Sequence, residues 1–166
     1  DWEGAVDPLR EYECLVGEQK PFSMRCASRY GHGHLNLYEA FEASCNNYFY
    51  YLAARHLDAG SFNQWARKLG CGDLTGIDLP TMGGSYDRGF LKNPEGVKGE
   101  KALCMYGIGQ VQVQMTPLQA LRMVGAVAAG LKMAPRPWLV KKKTPDRIYT
   151  RNSRTAAIVQ ECMKRV

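Results

Sequence analysis

The most specific chemistry in this sequence lies in three consecutive residues, Ser44-Cys45-Asn46. A serine hydroxyl both donates and accepts a hydrogen bond, and an asparagine carboxamide offers a donor and an acceptor without charge. Placed in one cleft, the two can hold a peptide amide and pass a proton to a leaving amine. Whether they share a cleft depends on the backbone. In an unbroken α-helix Asn46 lies about 200° round from Ser44. Ser44 then faces the core and bonds back to a carbonyl one turn earlier, and the pair cannot serve one site. The alternative is a break. Asn46 and Asn47 are poor helix-interior residues and good caps, so one helix can end near Ala43 and another start after Asn46. Both arrangements are open on the residues alone.

The elements around this triplet follow from spacing. Asn36 is a good N-cap, and Leu37, Ala40, Phe41, Cys45, Tyr48, Phe49, Leu52, Ala53 and His56 recur at helical steps. A turn is expected at Gly31-His32-Gly33-His34, after thirty irregular residues with one extended piece near Ser23–Cys26. Ser61 caps a shorter helix that Gly70 stops. Gly76-Ile77-Asp78-Leu79-Pro80 reads as extended, and the glycine-rich span 81–101 as a long surface loop. A turn at Gly107-Ile108-Gly109-Gln110 leads into a short strand over Val111–Met115. Thr116-Pro117-Leu118-Gln119 is a capping box with proline at the first helical position. Trp138-Leu139-Val140 reads as a strand, and Ser153 caps a last helix.

Composition sets outer bounds. The 166 residues, 45% apolar and 23% charged, are ordinary for one globular domain or a large piece of one. There is no apolar run long enough for a membrane span, and Asp1-Trp2-Glu3-Gly4 does not open like a signal peptide. The net charge of +6 favours anionic partners. The basic residues are scattered apart from Lys141-Lys142-Lys143, without interleaved stacking aromatics, so no nucleic-acid partner is expected. Six cysteines stand at 14, 26, 45, 71, 104 and 162. Cys14, Cys26, His32 and His34 are the nearest approach to a zinc set, but metal-binding cysteines usually pair at two to four residues. No metal and no cofactor is expected on that ground. A Cys14–Cys26 disulfide is open outside the cytoplasm.

Several segments then fall in one order: Gly33-His34-Leu35-Asn36-Leu37, Ser44-Cys45-Asn46 followed by Tyr48-Phe49-Tyr50, Gly76-Ile77-Asp78-Leu79-Pro80, and Gly109-Gln110 before Thr116-Pro117-Leu118-Gln119. This series resembles the transpeptidase domain of penicillin-binding proteins, and is most similar to the elongation-type class B enzymes (penicillin-binding protein 2-like). The resemblance implies an α+β, β-lactamase/D,D-peptidase-like fold, a helical region beside an antiparallel sheet, of which this chain holds mainly the helices. It implies cell-wall cross-linking by acyl transfer through a serine acyl-enzyme, with D-alanine leaving. Its partners would be peptidoglycan stem peptides, β-lactams and other cell-wall synthesis proteins. Its place would be the extracytoplasmic face of the bacterial cytoplasmic membrane, with the anchor outside this chain. By the same resemblance Ser44 relays the leaving-group proton, Asn46 orients the substrate amide and the catalytic lysine, and Gln110 and Thr116 contact substrate.

The family carries three motifs, Ser-x-x-Lys, Ser-x-Asn and Lys-Thr-Gly, and only the middle one occurs here. Lys143-Thr144-Pro145 imitates the third but precedes the last helix, and proline lacks the N–H that a substrate-facing strand needs. Val111 stands where a second glycine is usual after Gln110, and Thr81-Met82-Gly83 replaces a usual Gly-Glu. Residues 1–166 are therefore expected to be the central part of one transpeptidase domain, inactive alone for want of the nucleophile. The competing reading is a non-catalytic penicillin- or peptidoglycan-binding or sensor module, and flanking Ser-x-x-Lys and Lys-Thr-Gly segments would separate the two. A basic nucleic-acid binder is a third, which predicts steep salt dependence.

Overall fold

A computed structural model describes residues 7–15, 18–19, 24–78, 88–110, 113–139, 145–147 and 153–166. Among these, six helices alternate with four short antiparallel ribbons, an α+β arrangement dominated by helix. The ribbons pair β1 (Tyr12–Cys14) with β4 (Gly33–Leu35), β2 (Glu18–Gln19) with β3 (Met24–Arg25), β5 (Phe90–Leu91) with β6 (Val113–Gln114), and β7 (Met133–Ala134) with β8 (Asp146–Arg147).

The long helical pattern is broken. α1 (Leu37–Glu42) ends and α2 (Asn46–His56) begins on either side of Ala43-Ser44-Cys45. Asn36 caps α1: its Oδ1 accepts the Tyr38 and Glu39 N–H groups, and Glu39 accepts the Asn36 N–H in return. The apolar face of α2 packs along α4 (Glu100–Gly107), with Tyr50 and Cys104 in one buried cluster that Met105 and Ile108 extend. A Cβ on Gly107 would stand 2.5 Å from Ala53 Cβ, so this crossing needs glycine. α3 (Ala59–Lys68) joins α4 through Tyr106, whose hydroxyl donates to Asn63 Oδ1. Asn63 Nδ2 in turn donates to Lys92 O.

Several sequence expectations shift by a few residues. Gly33 and His34 lie in β4 rather than in a turn. α3 starts before Ser61, capped by Asp58, whose Oδ1 accepts the Ser61 N–H at 2.8 Å. A carboxylate caps better than an alcohol next to a positive helix end. The expected loop 81–101 carries β5, a 3₁₀ turn at Pro94–Gly96 and the start of α4. Residues 79–87 lie outside the described residues, as do Val111, Val140 and the Lys141–Thr144 stretch. Trp138 and Leu139 are not in a strand. α5 (Pro117–Ala128) buries Gln119 and Arg122 while Leu121 and Val124 face outward. Its inward polar groups tie loops together: Gln119 Nε2 donates to Asp73 O and Arg88 O, and Arg122 Nε to Pro135 O, all at 2.7 Å. α6 (Ser153–Lys164) closes the described chain against α1 and α5. No helix among the described residues is long and apolar enough to cross a membrane.

Candidate functional site

The break between α1 and α2 is a specific hydrogen-bonded turn. Cys45 N–H donates to Ala40 O at 2.9 Å, and Ser44 N–H to Phe41 O at 3.1 Å. These two bonds define a Schellman ending, in which the residue after the C-cap is left-handed and usually glycine. Here it is Ser44, at φ +50°. A side chain in that conformation costs about 1–2 kcal/mol. The turn separates the triplet sharply. Ser44 is exposed and Asn46, the first residue of α2, is half-buried, while Cys45 between them is wholly buried. The continuous-helix arrangement, with Ser44 inside the core, is thereby excluded.

Gln110 sits at an equivalent point on α4. Its N–H donates to Met105 O at 2.9 Å, after left-handed Gly109, and its side chain is exposed. Thr116 caps α5. Its Oγ1 accepts the Gln119 N–H, and Gln119 Oε1 accepts the Thr116 N–H. The capping box read from sequence is therefore present.

The structure also assembles a group that local spacing did not predict. Cys14 Sγ, Cys26 Sγ, Cys45 Sγ and a His32 ring nitrogen all lie within 4.8 Å of one another. His32 Nδ1 is 3.4 Å from Cys14 Sγ and 3.5 Å from Cys26 Sγ. The β1–β4 register explains which histidine is chosen. Cys14 pairs with Gly33 and Glu13 with His34, so His34 stands on the outer face, 3.8 Å from Glu13. His32, one residue before β4, donates its N–H to Cys14 O at 3.0 Å and turns to the thiols.

The thiols meet the amino end of α2. Burial pushes the Cys45 thiol up to about 12, although the Tyr48 N–H favours its thiolate. Burial likewise raises Cys14. Burial also acts upward on Cys26, but the N–H groups of Ser28, Asn47 and Asn46 outweigh it and hold that thiol below the usual range. Asn47 is buried; its Nδ2 donates to Cys14 Sγ at 3.5 Å, and its Oδ1 has no partner. Three sulfurs and one imidazole are the donors of a closed zinc site, in which tetrahedral sulfurs stand about 3.8 Å apart. A helix amino end suits the negative charge of three thiolates. The clue available in sequence was the third cysteine, Cys45, inside the Ser-x-Asn motif itself.

A family model for the penicillin-binding protein transpeptidase domain matches residues 3–166. The peptidoglycan D,D-transpeptidase MrdA of Acinetobacter baumannii is 38% identical over 137 residues, which are 78% of this chain and 19% of that protein. The fold is similar to that of penicillin-binding protein PBP2 from Helicobacter pylori in a complex with MreC, at a TM-score of 0.82 and 21% identity, over 96% of this chain and 31% of that one. It is also similar to PBP2 of Pseudomonas aeruginosa in complex with WCK 5153, at a TM-score of 0.79 and 24% identity, over 97% and 40%. The α+β fold that the resemblance implied is the fold this chain shares with these penicillin-binding protein structures. With its order of motifs, its helix break and a family match over nearly every residue, the chain belongs to the penicillin-binding protein transpeptidase family.

Proposed function

We propose that residues 1–166 supply the Ser-x-Asn wall of a peptidoglycan D,D-transpeptidase at the extracytoplasmic face of the cytoplasmic membrane. The observation that carries this reading is the left-handed Ser44, which puts a hydroxyl on the surface where glycine would be easier. Ser44 gives the departing D-alanine amine its proton, and Asn46 holds the substrate amide and the catalytic lysine. Gln110 contacts the peptide beyond the scissile bond, with Thr116 near it. The attacking serine and its lysine belong to a Ser-x-x-Lys segment, and the opposite wall to a Lys-Thr-Gly segment; neither motif occurs in residues 1–166. The H. pylori relative in complex with MreC supports a cell-wall synthesis partner for this protein too.

The test is covalent labelling by a fluorescent penicillin together with D-alanine release from a D-alanyl-D-alanine peptide. The intact protein is expected to do both, on a serine outside residues 1–166, and residues 1–166 alone to do neither. Labelling without D-alanine release would instead favour a penicillin-recognising sensor.

The thiol cluster supports a second reading, structural rather than catalytic. Cys14, Cys26, His32 and Cys45 would hold one zinc ion. All four donors are protein groups, so no open position is left for chemistry. The ion would fasten β1, the β3–β4 connection and the amino end of α2 at one point, fixing the turn that presents Ser44 and Asn46. Metal analysis of the intact protein should return one zinc per chain, lost on substituting Cys45 by alanine. A metal-free, fully active protein would reject this reading.

A further inference from the structure

We infer that Cys14 and Cys26 form a modification site: a disulfide between them is the alternative to zinc, and closing it releases the Ser44 turn. This rests on the zinc reading above and adds an oxidised state to it. The geometry selects the pair. Both sulfurs approach the same His32 Nδ1, at 3.4 and 3.5 Å, and lie within 4.8 Å of each other. A disulfide needs about 2.05 Å, a gap that side-chain rotation and a small loop movement cover. Cys26 follows β3 in irregular backbone and is the one partly exposed thiol of the three. Cys14 is 3% exposed and Cys45 fully buried. Cys45 is also held in the Schellman turn through its N–H. An oxidant therefore meets Cys26 first, and Cys14, whose sulfur shares His32 Nδ1 with that of Cys26, is its partner.

The oxidant is a disulfide, RS–SR, borne by a protein or a small molecule. Cys26 thiolate attacks one sulfur of RS–SR, forming a mixed disulfide and expelling RS⁻. Cys14 thiolate then attacks Cys26 Sγ, forming the Cys14–Cys26 bond and expelling the second RS⁻. Two thiolates have lost two electrons, and RS–SR has gained them to become two thiols after protonation from water. Two of the four zinc donors are gone. His32 and Cys45 alone hold the ion weakly, and zinc leaves. Cys45 then loses its anchor, and with it the residues on either side, Ser44 and Asn46.

The experiment uses the intact protein, zinc-loaded and metal-free, exposed to oxidised glutathione. Zinc release is read with a chromogenic chelator, pairing by non-reducing peptide mapping, and function by penicillin acylation rate. The expected result is one zinc released for each Cys14–Cys26 bond, with acylation slowing in step and recovering on reduction with added zinc. Because Cys26 is itself a zinc donor, this comparison is made on the metal-free protein: replacing Cys26 by serine should abolish the Cys14–Cys26 bond, while Cys104→Ser, outside the cluster, should leave its formation unchanged. Circular dichroism of the Cys26→Ser protein separates a lost thiol from a lost fold. If that variant is unfolded, blocking Cys26 of the folded wild type with a limiting alkylating agent makes the same comparison. A disulfide that forms with zinc retained would overturn the proposal, as would thiols that stay reduced in both forms. A protein that takes up no zinc but closes Cys14–Cys26 would keep the modification site and remove the zinc reading.

Discussion

α1, α3, α4 and α5 stop in the same hydrogen-bonded turn, and they differ in the residue at its left-handed position. At the ends of α3, α4 and α5 that residue is glycine: Gly70 at φ +96°, Gly109 at +74° and Gly130 at +67°. At the end of α1 it is Ser44, at +50°. Leu131 also has positive φ, but its side chain is buried against Val127 and Ala156, and that packing offsets the strain. Ser44 is exposed and gains nothing comparable from burial. Strain that packing does not explain is a reason to look for a role performed by the side chain. At the glycine turns the backbone is what matters; at α1 the role proposed above rests on the hydroxyl.

Substitutions on the two kinds of turn should behave differently. The largest effect belongs to function: Asn46→Ala should slow penicillin acylation of the intact protein about 100-fold or more, the scale of a lost positioned proton-transfer or orienting group. Lys132→Ala, on the exposed side of the Gly130 turn, should leave the rate unchanged. Next come the glycine turns themselves. Gly70→Ala should cost about 2 kcal/mol in urea unfolding, because φ is positive and the new Cβ would sit 3.1 Å from the Arg122 guanidinium. Gly109→Ala and Gly130→Ala have open space around the Cβ and should cost about 1 kcal/mol, from backbone strain alone. If all three cost the same, the guanidinium contact is irrelevant.

The smallest effect is a pH dependence at an ordinary cap. Hydrogen bonds from the Ser61 side chain and N–H hold the Asp58 carboxyl below its usual range. A lowered folded value means stability that is complete above the unfolded value and lost as pH falls through the folded one. Asp58→Asn keeps a capping oxygen but does not titrate near pH 4. It should flatten the acid side of the stability profile without altering acylation at neutral pH. An unchanged acid limb would mean that these hydrogen bonds do not stabilise the carboxylate.

Much of the framework was legible because local chemistry decided it. Asn36 and Thr116 show their capping partners three residues on; the helix break was open on the residues alone, and the structure begins α2 at Asn46 with Cys45 as its N-cap, so neither Asn46 nor Asn47 caps it. α4 was hidden because its eight residues follow a glycine-rich span, and what holds them is packing on α2. The outward Leu121 and inward Gln119 of α5 reverse the usual rule, since Gln119 is recruited by two distant carbonyls. The thiol cluster was legible only in part, with Cys14, Cys26 and His32 named but Cys45 missed, for a similar reason. Its members are 12, 6 and 13 residues apart in sequence, and only the β1–β4 register and the turn before α2 bring them together.

The role given to the Ser44 hydroxyl stands or falls with Ser44→Gly, with acylation rate and unfolding free energy measured on the same intact protein. The turn should survive and gain about 0.5–1 kcal/mol from relief at φ +50°, while acylation and turnover fall by about two orders of magnitude. A glycine variant that acylates and turns over like wild type would show that the hydroxyl at this turn does no chemistry.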